Sequence, residues 1–421
     1  MHSRLPVLLA AMALSATPLL LGAQQPVNPA AVVPPPPAWT NQTRASEPAQ
    51  KSQFTIDTVA SGLNHPWALQ FLPDGRFLVT ERPGYIRIVN KDGWMSSPLA
   101  GLPAIRTAAE RGLHDVALDP DFARNRTIYF TYFAPPDGQP GGAYPAAEWQ
   151  KWLASTEPGR EASRPGFERV ASATLSPDFT RIENVKVILE GGDRRIAVRP
   201  DGTLLVTAAS RAGGPDVAID ELPQQVAVPY GKVLRVNRDG STPRDNPFAS
   251  RAGANPYLFA IGLRDPEGAT INPQTGDLWT VEHGPMGGDE LNRIRPGANL
   301  GFPTISYGRK YNGEQFTTKT AQDGLEQPIY WWVPSIGPSG LLFYTGNLIP
   351  QWRGNVFVGS MPGRHLVRLV MNAAGDRVVN EEKLLTDLRW RIRDVKQGPE
   401  GYIYLAVEQK DGSILRIVPA D

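Results

Sequence analysis

From residue 54 onward the chain is a succession of short apolar or alternating runs, each bounded by Gly, Pro, Asp or Asn, with little helical periodicity between them. That pattern predicts strands rather than helices. One unit recurs. Pro73-Asp74-Gly75 precedes Phe77-Leu78-Val79-Thr80, Pro200-Asp201-Gly202 precedes Leu204-Leu205-Val206-Thr207, Pro273-Gln274-Thr275-Gly276 precedes Leu278-Trp279-Thr280-Val281, and Pro399-Glu400-Gly401 precedes Tyr402-Ile403-Tyr404-Leu405. Looser copies stand at Asp119-Pro120-Asp121, before Ile128-Tyr129-Phe130, and at Trp352-Arg353-Gly354, before Val356-Phe357-Val358. Spacings of roughly 45 to 80 residues mark a repeat with uneven insertions. Six such units, none able to bury both faces alone, predict an all-β six-bladed β-propeller in which each sheet covers its neighbour. A pair of β-sandwich domains competes, because the spacing is uneven. In a propeller, Phe54-Thr55-Ile56-Asp57-Thr58-Val59 is placed to pair with the last sheet and close the ring. The longest insertion, about residues 135 to 166, is expected to carry a short helix around Glu148, Trp149 and Trp152, with the tryptophans packing rather than stacking on carbohydrate.

Ahead of the repeats, the apolar run Leu5 to Leu21, interrupted by Pro18 and followed by Gly22-Ala23, reads as a secretory signal peptide over residues 1–23. Residues 24–50, with Pro34-Pro35-Pro36-Pro37, read as a Pro-rich linker, which leaves 51–421 for the propeller. No later stretch is apolar enough to span a bilayer, so the expected address is periplasmic or secreted, with no membrane insertion once the leader is removed. The chain has no Cys, so disulfides contribute nothing. With 43 basic against 42 acidic residues, a net charge of +1, there is no electrostatic case for a nucleic-acid partner.

The stretch with the most evident chemistry is Thr280 to Asn292. A strand-like run enters Gly284-Pro285-Met286-Gly287-Gly288, and the acidic pair Asp289-Glu290 follows at once. Hard cations such as Ca²⁺ take carboxylates and free backbone carbonyls, and a Gly-rich turn is where carbonyls can converge. A hairpin loop with two solvated acids accounts for the same residues.

Taken in order, several stretches carry a family resemblance: Gly62-Leu63-Asn64-His65-Pro66-Trp67, Asp115-Val116-Ala117-Leu118-Asp119-Pro120, Gly231-Lys232-Val233-Leu234-Arg235, Gly262-Leu263-Arg264, Glu282 to Asn292, Pro334-Ser335-Ile336-Gly337-Pro338-Ser339-Gly340 and Arg391-Ile392-Arg393-Asp394. Their order over about residues 53 to 419 resembles the soluble sugar dehydrogenases that depend on pyrroloquinoline quinone, the glucose/sorbosone and aldose sugar dehydrogenase family. The resemblance implies a propeller with quinone and Ca²⁺ on its top face, oxidation of an aldose to its lactone, an external electron acceptor, and a monomer or homodimer. It places the Ca²⁺ on the carbonyls of Gly284 and Pro285, Arg264 and Asp265 beside the quinone, Arg391 and Arg393 on its carboxylates, and Trp332 near the sugar. Asp289 and Glu290 match positions associated with structural calcium away from the quinone.

The chain also departs from the family. The catalytic His, four residues before an Arg-Ile pair, is Gly191 before Arg195-Ile196; a Gly-Asp strand end is Ala209-Ser210; a Gln is Glu110; the Asn after the top-face Arg is Asp265; a Lys is Pro362. A missing general base costs on the order of 10²–10⁴ in rate. His114 or Glu110 is the candidate replacement for it, with a packed or surface His the preferred reading of His114. Two further functions stay open: a calcium-stabilised propeller that binds without catalysing, favoured by the lost His and Asp, and a calcium-dependent lactonase, which needs ligands converging on the axis.

Overall fold

The computed structural model describes residues 34–155, 164–210 and 221–420. The stretch expected to be a leader, residues 1–23, and the first part of the Pro-rich stretch lie outside the described residues. What is described is a six-bladed β-propeller.

The innermost strands of blades one to six are, in order, Pro66–Phe71, Leu113–Leu118, Ile196–Val198, Pro266–Ile271, Pro338–Phe343 and Ile392–Gln397, and each leads an antiparallel sheet of consecutive strands. The repeat seen in the sequence is the hairpin between the first and second strands of a blade. Gly75, Gly202, Gly276, Gly354 and Gly401 hold φ between 74° and 97° at that turn, a left-handed conformation that favours glycine. Second strands such as Phe77–Glu81, Leu204–Ala208 and Ile403–Val407 are buried at every position. That explains why they read as continuous apolar runs rather than alternating ones: both faces of each sheet are covered by its neighbours. Six hydrophobic clusters follow, each filling the space between one pair of adjacent sheets.

The ring closes through the N-terminus. Strand Phe54–Leu63 pairs antiparallel with Gly412–Pro419 as the outermost strand of blade six, in register from Phe54 opposite Pro419. Packing begins earlier than the linker expectation of 24–50 allows. Buried Gln42 donates its side-chain amide to Pro328 O at 3.0 Å, its carbonyl accepts from Trp331 N at 3.0 Å, and Glu381 N donates to Ser46 O at 3.2 Å. Residues 39–52 therefore form a strap over the outer strands of blades four and five. Pro content marks a chain that forms no ladder of its own, and says nothing about what it lies against.

At the axis, buried Arg195 ties the blades together. Its Nη1 lies 3.2 Å from Asp115 Oδ1 and 3.1 Å from Asp394 Oδ1, Nε donates to Glu267 O and Nη2 to Arg393 O, both at 3.0 Å. Asp394 in turn accepts from Leu69 N at 2.9 Å, and Asp115 from Ile196 N at 2.8 Å. Five inner strands thus share one network, with the guanidinium carbon over the Trp67 ring, 4.1 Å from its centroid. Removing the cation leaves two buried carboxylates uncompensated. Arg195→Met is expected to lose about 3–5 kcal/mol of stability in urea unfolding, more than the partly exposed ion pair lost in Arg416→Met.

Candidate active site

All six inner strands start on one face of the ring, and the antiparallel second strands end there. A cavity of about 400 Å³ opens at that face. Residues at inner-strand starts line it: Trp67, Glu110 and Arg111, Arg194, Asp265 and Glu267, Arg391 and Arg393. Second-strand ends add Ala209, His283, Met361 and Pro362, and the insertion adds Trp149 and Gln150. The helix Ala146–Ala154 supplies the last two; buried Trp149 packs on Phe133, with the Arg111 guanidinium 4.5 Å from the Trp149 ring centroid.

The floor of the cavity alternates cations and anions. Arg194 lies 3.3 Å from both Asp265 Oδ1 and Glu267 Oε1. Arg393 lies 3.0 Å from Glu267 Oε2 and 3.0 Å from Glu408 Oε2, and Arg391 is 3.5 Å from Glu408. Arg82 joins Glu110 at 2.7 Å and Glu408 at 3.2 Å. Arg391/Arg393 and Asp265/Glu267 are i, i+2 pairs at strand starts, which puts each pair on one face. Burial pushes the Asp265 carboxyl up, but Arg194, Arg264 and His283 outweigh it and hold it at about 2. A carboxylate in place of the expected amide is thus charge-compensated on both sides.

Among the expected site residues, Asp265, Glu110, Arg391 and Arg393 line this cavity, and Arg264 stands behind it with Nη1 3.4 Å from Asp265 Oδ2. The others lie elsewhere. His114 is buried with its ring stacked on Trp67 at 4.8 Å, Nδ1 2.5 Å from Asp193 O and Nε2 3.0 Å from Glu110 O. Burial, then Arg194, drives its pKa well down, and neither nitrogen faces the cavity. Trp332 sits on the outer strand of blade four, its indole N–H donating to Glu381 at 3.2 Å within the core shared with blade five, and does not line the cavity. Gly284 and Pro285 do not line the cavity, and the Pro285 carbonyl accepts from Arg309 N at 2.9 Å. Asp289 organises that loop, accepting from Gly284 N, Ser335 Oγ, Ile336 N and Gly337 N at 2.8–2.9 Å. Glu290 shares the Asn292 amide with Glu282, and burial raises both carboxyls, Glu282 to about 7.

Sequence reasoning missed Arg194, Glu267 and Glu408. The Arg194-Arg195 doublet was the available signal, since two adjacent guanidinium groups at a strand start must face opposite ways. Arg195 points to the axis and Arg194 into the cavity.

The donor set can be compared with the two groups the resemblance implies. Five guanidinium groups, of Arg82, Arg194, Arg264, Arg391 and Arg393, face four carboxylates, of Glu110, Asp265, Glu267 and Glu408. Arg391 is the guanidinium with donors to spare: it lines the cavity, is partly exposed and meets only Glu408, at 3.5 Å, among the described residues. A ligand that brings carboxylate oxygens, as the quinone does, fits it. For a cation, the set facing the cavity is Asp265, Glu267 and His283, whose ligand atoms lie within 4.8 Å of one another.

Gly191 has φ 94°, and a Cβ there would stand 2.4 Å from Pro229 Cγ. Gly191→His is therefore expected to cost about 1–3 kcal/mol in thermal unfolding and to add no oxidation activity. Asp265 gives a pH test. Its depressed pKa contributes stability that is present above about 4 and is lost as pH falls toward about 2. Acid unfolding of Asp265→Asn should show a weaker pH dependence across that window.

The glucose/sorbosone dehydrogenase family matches residues 63–416. The chain is 31% identical over 384 residues to the aldose sugar dehydrogenase of Escherichia coli, covering 88% of this chain and 94% of that protein. It is 27% identical over 437 residues to quinoprotein glucose dehydrogenase B of Acinetobacter calcoaceticus, covering 87% of each. The crystal structure of a glucose dehydrogenase superposes with a TM-score of 0.76 at 34% identity, covering 87% of this chain and all of the other. By sequence and by fold, the chain belongs to the glucose/sorbosone dehydrogenase family.

Proposed function

We propose that the chain oxidises an aldose to its lactone in the top-face cavity, as an exported protein using pyrroloquinoline quinone and Ca²⁺ and passing electrons to an external acceptor. One observation carries the reading: a cavity of about 400 Å³ lined by Arg194, Arg391 and Arg393, with the Arg391 guanidinium partly exposed to it, in a propeller of this family. When bound, the quinone supplies the two-electron acceptor that no side chain of this protein can replace. Arg391 and Arg393 would hold its carboxylates, a task for which the planar guanidinium fork is suited. Asp265, Glu267 and His283, or the Gly284 and Pro285 carbonyls that the resemblance implies, would hold the cation. Gln150 stands on the cavity wall, placed to orient sugar hydroxyls, beside Glu110, which Arg82 holds at 2.7 Å. Trp149 closes one side and keeps water out.

A second reading, a propeller that binds sugar without oxidising it, is favoured by Gly191, which packs against Pro229 where the family places its base.

Titrating the protein with the quinone, with and without Ca²⁺, and following its absorption separates the two. Saturable binding at micromolar concentration, then bleaching on addition of an aldose with a dye acceptor, is expected; absence of binding overturns the proposal, and binding without bleaching selects the second reading. Arg391→Ala, which removes a partly exposed guanidinium, should weaken quinone binding by about tenfold or more.

A further inference from the structure

The wall between blades two and three holds a carboxylate that the site described so far does not use. Asp193 lies two residues after Gly191, on the segment leading from Ile182–Glu190 into the inner strand Ile196–Val198, and is 5% exposed. Its backbone is fixed: Asp193 N and Arg194 N both donate to Thr207 O, at 3.3 and 3.1 Å, and its carbonyl meets His114 Nδ1. Its side chain is held by one hydrogen bond, from Ala209 N to Oδ1 at 3.0 Å. Oδ2 meets only Arg194 Nη1, at 3.8 Å, among the described residues. Arg194 and Ala209 both line the cavity. The Asp193 carboxylate is therefore one side chain behind the cavity surface, at a point where Ala209 presents no more than a methyl group.

We propose that Asp193 is the proton acceptor for sugar oxidation, taking over from the histidine that Gly191 replaces. The inference rests on the sugar-oxidising reading above. In the step, the anomeric O–H and C1–H bonds break and C1=O forms. The hydride with its electron pair goes to the quinone-class oxidant, and the proton goes to Asp193 Oδ2 through one water at Ala209, then to solvent.

The competing groups fail on chemistry or place. Asp265, held at about 2, is too weak a base. Glu110 is bound by Arg82 at 2.7 Å and lies 3.6 Å from Arg393. His114 has both nitrogens against carbonyls. Asp193 differs: burial raises its carboxyl to about 6, with Glu168 adding to the rise and Arg194 and Arg111 opposing it. A base with that pKa is ionised at neutral pH and still accepts a proton readily. The groups facing it are Arg194 on its own segment, and Arg111, His114 and Glu168 from blade two.

The test uses Asp193→Asn, whose amide oxygen can still accept from Ala209 N, and Asp193→Glu as a variant that keeps the acid. Wild-type kcat/KM for an aldose, with quinone and Ca²⁺ loaded, should rise with pH to a plateau above about 6. Asp193→Asn should drop the plateau by about 10²–10⁴ and remove the inflection, with quinone affinity and melting temperature close to wild type, and Asp193→Glu should restore part of the rate. A second readout needs no cofactor: infrared difference titration of the quinone-free protein should show a buried-carboxyl signal with a midpoint near 6 that is missing from Asp193→Asn, while the Glu282 signal near 7 stays and is identified by its loss in Glu282→Gln. An unchanged inflection and rate in Asp193→Asn, or a set of buried-carboxyl signals identical in wild type and Asp193→Asn, overturns Asp193 alone. A wild-type protein that binds quinone and oxidises no aldose at any pH overturns the sugar-oxidising reading and this inference with it.

Discussion

The fold is organised by the single guanidinium of Arg195 on the propeller axis. A ring of six sheets leaves an axial space that apolar side chains from short inner strands do not fill, and the inner strands carry backbone groups that need partners. Arg195 meets both needs, bonding two carboxylates and two carbonyls while its guanidinium carbon sits over the Trp67 ring. An ion pair so deep is costly to desolvate, and it is tolerated because all its partners are in place at once. It links blades two, three, four and six directly, and blade one through Asp394. Side chains at the starts of those five inner strands are thereby held in register with one another.

That register explains the composition of the site. Residues flanking Arg195 at the strand starts, Arg194 and Arg393 among them, are positioned by a rigid floor and turn upward into the cavity. Each acid there is shared between arginines, so the pocket stays near charge balance although it is crowded with ionised groups. Two of the departures from the family pattern, Glu110 and Asp265 in place of amides, are accommodated in the same way. Each new carboxylate lies against a guanidinium, which is the arrangement under which buried charges survive.

The Thr280–Asn292 stretch behaves differently from its sequence appearance. Its acids are turned into the protein, Asp289 to gather four donors and Glu290 to share an amide with Glu282, while His283 alone faces the cavity. The loop is built by its carboxylates rather than advertising them. Its Gly residues serve that packing: a Cβ on Gly288 would stand 2.3 Å from Gly308 N.

By itself the sequence determined the sheet count, the closing strand and the family order of motifs, because turn glycines and two-sided burial leave local marks on each hairpin. The motif resemblance also singled out Arg391, Arg393 and Asp265, which the structure sets at strand starts lining the cavity. Only the tertiary structure decided which way each of those side chains pairs, that His114 and Trp332 are core residues, and that residues 39–52 strap the outer blades. It also brought Asp193 against Ala209 at the cavity wall. These depend on contacts between blades far apart in the chain, where the partner of a charge is chosen by packing geometry and burial rather than by its neighbours in sequence.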